Sequence, residues 1–262
     1  MSVPILLISE IIGVIAVIMI LSISPVIRNQ RLLTFKYPKR EGSAALSVGV
    51  LVVLITAILL RLSGAIFTDL ANFPSYPGLF GAPTFRLADM NAIVSQSIFS
   101  GILLLPIAAA LLIRKQPLLS IGLNRNTYRA GFQMGAALAL LTIFLHGKIF
   151  AIINGLHSDA FLALAVAIIA VIGEEVVFRG YVQPRFSAWL GEKWGWLAAA
   201  LLYIIWWTVV AFAILPFTGI ALAGAVIYRV MMGLLLGWLM KKNGSLLAPI
   251  LYHAAHLWVA FL

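Results

Sequence analysis

Long apolar runs separated by short polar, basic segments organise the chain. The runs lie near 4–27, 44–67, 95–113, 130–153, 160–178, 195–216, 217–240 and 245–262. Each approaches the roughly 20 residues that an α-helix needs to cross a bilayer's hydrocarbon core. The pattern predicts an all-α fold, a polytopic transmembrane helical bundle of about eight spans. The first run carries Glu10 and follows no basic segment, so it reads as a retained helix and not as a cleaved signal peptide.

Composition supports the same setting. Of the 262 residues 63% are hydrophobic and 10% charged, and the mean hydropathy is +1.09. A soluble domain has an apolar share near one half and a charged share near one quarter. The absence of cysteine excludes disulfides, thiolate zinc sites and cysteine nucleophiles. A formal charge of +10 could suit nucleic acid, but the cations sit in short loops and form no basic domain. Membrane lipids are the expected surroundings, and no nucleic acid is expected as a partner.

The cations instead set an orientation. Arg28, Arg31, Lys36, Lys39 and Arg40 fall between runs one and two, and Arg114, Lys115, Arg125 and Arg129 between runs three and four. Arg185 and Lys193 follow run five, and Lys241 and Lys242 follow run seven. Even-numbered connections hold only Arg61 and Arg86. Positive loops stay on the cytoplasmic side, so the odd loops are expected there, with both termini outside and the plasma membrane as the expected location. The second loop, FPSYPGLFGAPTF, reads as an external turn or short re-entrant element.

The chain divides into N-terminal transmembrane helices over 1–129 and a core over 130–262. Gly131 with Gly135, and Gly233 with Gly237, have the small-residue spacing that lets transmembrane helices approach closely.

Ionisable residues within apolar runs are expensive to bury and are functional candidates by default. They are Glu10, His146, Lys148, Glu174, Glu175, Arg229, His253 and His256. Glu10 can reach the interface, Lys148 can snorkel, and His146 lies toward the outer end of run four. Arg229 sits mid-run and is expected to pair internally, with a glutamate as one candidate, in a structural role.

Glu174 and Glu175 stand apart from these. Glu175 and Arg179 are one helical turn apart and can form an ion pair. Glu174 points about 100° away and has no local partner. Two adjacent acids exceed what one arginine needs. With the helix continuing to about Trp189, kinked at Pro184, Glu174 lies roughly 22 Å from its cytoplasmic end. His253 and the Trp206-Trp207 pair reach a comparable depth, so three runs are expected to line one chamber open to the cytoplasm.

Glu174-Glu175-Val-Val-Phe-Arg179 resembles the EExxxR motif of the CAAX prenyl protease and bacteriocin-processing (CAAX protease/ABI) family of intramembrane proteases. GSLLAPILYHAAHL is similar to that family's later Pro-xxx-His segment, through Pro249 and His253. The resemblance covers about 130–262. It implies that Glu174, with a histidine of the next helix, activates water against a peptide carbonyl, and that His253 and an asparagine stabilise the oxyanion. Glu174, Glu175, Arg179 and His253 are the implied site.

Two positions depart from the family pattern. Tyr203-Ile-Ile-Trp-Trp207 aligns with FxxxH, so Trp207 replaces the histidine, and Leu257 replaces the asparagine of HxxxN. An indole N–H only donates, and leucine does neither. One rescue is a divalent metal such as zinc held by His253, His256 and Glu174, since the two histidines lie three apart.

Three readings stay open. The first is an intramembrane endopeptidase acting on a membrane-associated substrate, prenylated proteins included. The second is a catalytically silent relative that binds a lipidated or membrane-bound peptide. The third is a transporter whose carboxylates carry protons or cations.

Overall fold

The computed structural model describes residues 12–20, 23, 35–66, 90–214 and 220–262. Glu10, the loop FPSYPGLFGAPTF and Arg86 lie outside these residues. The described chain is helical and contains no strand. Residues 12–20 form one helical stretch. The main helices are α1 (Pro38–Ile66), α2 (Met90–Ile113), α3 (Tyr128–Leu145), α4 (Ile149–Ile153) and α5 (Ser158–Glu175). They are followed by α6 (Gln183–Leu190), α7 (Glu192–Ile214), α8 (Ile220–Asn243) and α9 (Leu247–Trp258). Five stretches among the described residues are long and apolar enough to cross a membrane: Pro38–Arg61, Ala92–Ile113, Arg125–Leu145, Ser158–Leu190 and Glu192–Val210. The protein is an all-α membrane protein.

Three predicted runs take a different form. Run four breaks after Leu145, where Gly147 adopts φ +68°, a left-handed conformation that glycine enters without steric penalty, and the short α4 follows. The last run yields α9, whose 12 residues extend only about 18 Å. Hydropathy is equally high for helices that face lipid and helices buried by protein. Ala248, Pro249, Tyr252, His253, Ala254, Ala255, Leu257 and Trp258 of α9 are all buried within the bundle.

Run five is longer than its apolar stretch. The chain stays helical from Ser158 to Leu190, and the expected kink at Pro184 is replaced by a π-helical segment over Val176–Val182. The N–H of Gln183 bonds the carbonyl of Phe178, five residues back. Pro184 then sits in the first turn of α6, where its missing N–H is harmless. A π-turn commonly marks a functional place in a helix, and this one begins directly after the two glutamates.

Packing explains how such a helix is held. Val177, Phe178, Tyr181 and Val182 of the π segment form one core with Val52 of α1, Leu103 and Ile107 of α2, and Tyr203 and Trp206 of α7. A second core joins Val14 and Ile18 to Met134 and Leu138 of α3, Leu236 and Leu239 of α8, and Tyr252 of α9. Gly131 and Gly135 both turn to α9: a Cβ at Gly135 would stand 3.0 Å from the Cα of Ala248, and one at Gly131 would overlap Ser245. That glycine spacing therefore sets the α3–α9 approach.

A polar cluster ties the other end of the bundle. Glu41 at the start of α1 is ion-paired with Arg114, accepts from Gln116 Nε2 at 2.9 Å, and lies 3.5 Å from Arg185 Nε. Arg185 also donates to the carbonyl of Tyr181 at 2.9 Å and to Ser120 Oγ at 3.1 Å, with its guanidinium 3.8 Å from the centre of the Tyr181 ring. Arg185 is fully buried. Grouped by sequence with the loop cations, it is a buried structural one, enclosed by Glu41, Ser120 and Tyr181.

Candidate active site

The π segment and α9 meet at one carboxylate. Oε1 of Glu175 lies 2.9 Å from Nδ1 of His253 and 3.3 Å from Nη1 of Arg179. Glu175 and His253 are wholly buried and Arg179 is 2% exposed. Three charged or polar side chains so far from water persist only when they satisfy one another. Arg179 is fixed further by Nη2, which donates to the carbonyl of Gly233 at 3.4 Å, and by the Tyr203 ring, whose centre is 4.1 Å from its guanidinium carbon. The EExxxR and Pro-xxx-His segments are thereby joined across 78 positions of chain.

Glu174 faces elsewhere, as a neighbour rotated by about 100° must. It is only partly buried. Its Oε2 accepts from the hydroxyl of Tyr203 on α7 at 3.3 Å. That hydroxyl in turn accepts from Nη1 of Arg229 on α8 at 2.9 Å. The Arg229 guanidinium carbon lies 4.7 Å from the centre of the Trp207 ring.

Trp207 is buried at the place where the family motif has histidine, and its contact there is with Arg229. Trp206, expected to face the same chamber, turns to α1, where its indole N–H donates to Thr56 Oγ1 at 2.8 Å. Leu257, at the asparagine position, packs in an apolar cluster with Ala167, Val171 and Ala254.

The sequence-based metal trio does not converge. His253 turns to Glu175 on α5, whereas Nε2 of His256 is hydrogen-bonded to the Tyr228 hydroxyl on α8, and the His256 ring stands edge-on to His146 at 5.9 Å. Residues three apart on a helix differ by about 60° in direction, enough here to send the two imidazoles to different helices. Among the described residues, no group of three histidine or acidic side chains is placed to hold a metal ion.

Tyr203 and Arg229 have contacts that sequence reasoning did not foresee. The available signal was the tyrosine at the motif's phenylalanine position, which adds a hydroxyl to an otherwise apolar helix face.

No curated protein and no solved structure matches the chain. A family model does match, over residues 156–259, a stretch that contains the two glutamates, Arg179, Trp207, Pro249 and His253. Over that stretch the chain is similar to the family described as type II CAAX prenyl endopeptidase Rce1-like.

Proposed function

We propose that the protein is an intramembrane endopeptidase of the CAAX type with slow turnover, cleaving a membrane-associated substrate near its lipidated end. The observation that carries this reading is the convergence of both motif segments on buried Glu175 while Glu174 stays partly accessible beside them. Each carboxylate then has its own task. Glu175 orients: it holds Arg179 and the Nδ1 side of His253. Glu174 is the reacting carboxylate: it takes a proton from water as the water oxygen attacks the peptide carbonyl carbon.

The tetrahedral oxyanion so formed needs a donor, and His253 is the imidazole fixed nearest the motif carboxylates. Collapse breaks the C–N bond, and Glu174 returns the proton to the departing amine. The slow turnover follows from Trp207 and Leu257, which remove the imidazole and the amide that the family pattern supplies.

A second reading is favoured by the Arg229–Trp207 contact. It fills the histidine's place with an ordered pair, as expected of a silent relative that binds a lipidated peptide without cutting it. The experiment that separates the two uses purified protein in liposomes and an internally quenched peptide with a farnesylated C-terminal cysteine motif. Slow cleavage lost in Glu174→Gln supports the endopeptidase. Saturable binding without cleavage supports the silent relative.

A further inference from the structure

We infer that Tyr203 and Arg229 are a positioning pair for Glu174, taking over the task of orienting the reacting carboxylate from the histidine that the chain lacks at position 207. The inference rests on the reading of Glu174 given above.

Donor and acceptor chemistry fixes the direction of the chain of contacts. A guanidinium carries donors and no acceptor. When Arg229 Nη1 approaches the Tyr203 oxygen at 2.9 Å, that oxygen must accept. The single phenolic proton is then left to point to Glu174 Oε2 at 3.3 Å. Arg229 thus acts on Glu174 through one hydroxyl, placing a positive charge two hydrogen bonds away.

The pair is held rigidly enough to aim a carboxylate. The Tyr203 ring lies fully buried between the Arg179 guanidinium, the Phe178 ring at 5.3 Å and the Trp206 ring at 6.0 Å. On its α8 side the ring packs closely over Gly233, where an added Cβ would stand 3.1 Å from Tyr203 Cδ1 and press the ring aside by a few tenths of an ångström. Arg229 is 1% exposed, and its guanidinium is placed by Trp207. The three residues therefore form a set: the tyrosine at the motif's phenylalanine position supplies the hydroxyl, Arg229 orients it, and the tryptophan at the histidine position carries Arg229.

Infrared difference spectroscopy on full-length protein in liposomes tests the pair without relying on turnover. Subtracting the Glu174→Gln spectrum isolates the carboxyl band of Glu174, and the same subtraction is made within each variant. The expected result is that the band shifts in Tyr203→Phe, which keeps the ring and removes the hydroxyl. It should shift less in Arg229→Lys, which keeps the charge and loses the planar fork. Tyr228→Phe, which removes the hydroxyl facing His256, should leave it in place. An unmoved band in Tyr203→Phe and Arg229→Lys, both eluting as folded protein, overturns the pair.

With the farnesylated reporter, Tyr203→Phe should lower kcat about 10-fold to 100-fold with little change in KM, the signature of a misplaced reacting group. A shifted band with unchanged kcat keeps the pair and overturns Glu174 as the reacting carboxylate. Absence of all cleavage overturns the endopeptidase reading and leaves the band to decide the pair.

Discussion

Oε1 of Glu175 and Nδ1 of His253 meet at 2.9 Å in a part of the bundle where neither side chain touches solvent. The same oxygen holds Arg179, so the carboxylate is shared between its own helix and α9. Removing one partner of such a group strands a buried charge, which costs about 3–5 kcal/mol. Arg179→Ala should therefore lower the melting temperature in detergent sharply. Glu175→Gln combined with Arg179→Ala should recover part of the loss, because the amide still bonds His253 without needing a cation. Additive effects in this double-mutant cycle, measured by thermal unfolding, would show that Glu175 and Arg179 act independently.

Glu41 has the corresponding position at the other end, with Arg114 and Arg185 both directed to it. Glu41→Gln should destabilise by about 2–3 kcal/mol, since two guanidinium groups then face an amide. Replacing Arg114 alone should cost less, because Arg114 is 18% exposed in its side chain while Arg185 is 0% exposed. Denaturation midpoints of the two variants give the order, and equal losses would contradict it.

Orientation is open to direct measurement because the chain has no cysteine of its own to give a background. Single cysteines placed at Lys39, Arg125, Lys193 and Lys242 should react with impermeant maleimide only after the cells are opened. Labelling of Arg125→Cys or Lys242→Cys from outside intact cells would reverse the orientation drawn from the loop charges.

Restoring the family pattern should raise activity. Trp207→His with Leu257→Asn is expected to cleave the farnesylated reporter faster than the natural protein, and adding Glu174→Gln should abolish the gain, because an amide cannot take up the proton. The double change has a structural cost. Leu257 packs with Ala167, Val171 and Ala254, and an unpaired amide in that cluster costs about 1–3 kcal/mol. Rates are therefore to be compared per folded molecule. Robust cleavage by the natural protein that survives Glu174→Gln would place the chemistry elsewhere.

Local spacing made part of this site legible. Glu175 and Arg179 share a helix face by arithmetic alone, and Glu174 must then point to another helix. The rest depended on tertiary placement. Nothing in His-Ala-Ala-His says that the first imidazole turns to α5 and the second to Tyr228 on α8; helix packing decides it. Arg185 reads as a loop cation by its charge, and only the packing of Glu41 and Tyr181 around it makes it a buried one. The last run looks like a span by hydropathy, because an alanine-rich helix enclosed by protein and one facing lipid have the same composition. Arg229 was expected to pair internally, but the hydroxyl that connects it to Glu174 comes from a third helix.

The π segment has one more implication. Each residue added to a helix advances its direction by about 100°, and the wide turn over Val176–Val182 accommodates one residue beyond what an α-helical path would use. It works as a phase shifter: the glutamates upstream and Arg185 downstream keep bearings that no uninterrupted α-helix of the same length could give both. Deleting Val177 would remove that extra residue, so an ordinary α-turn could replace the wide one while the glutamates and Arg185 keep their bearings. Adding a residue would instead swing one half of the helix against the other by about 100°, and either Glu175 would lose His253 or Arg185 would leave Glu41. A single insertion here should thus be more damaging than a single deletion, whereas insertions in the loops should be absorbed.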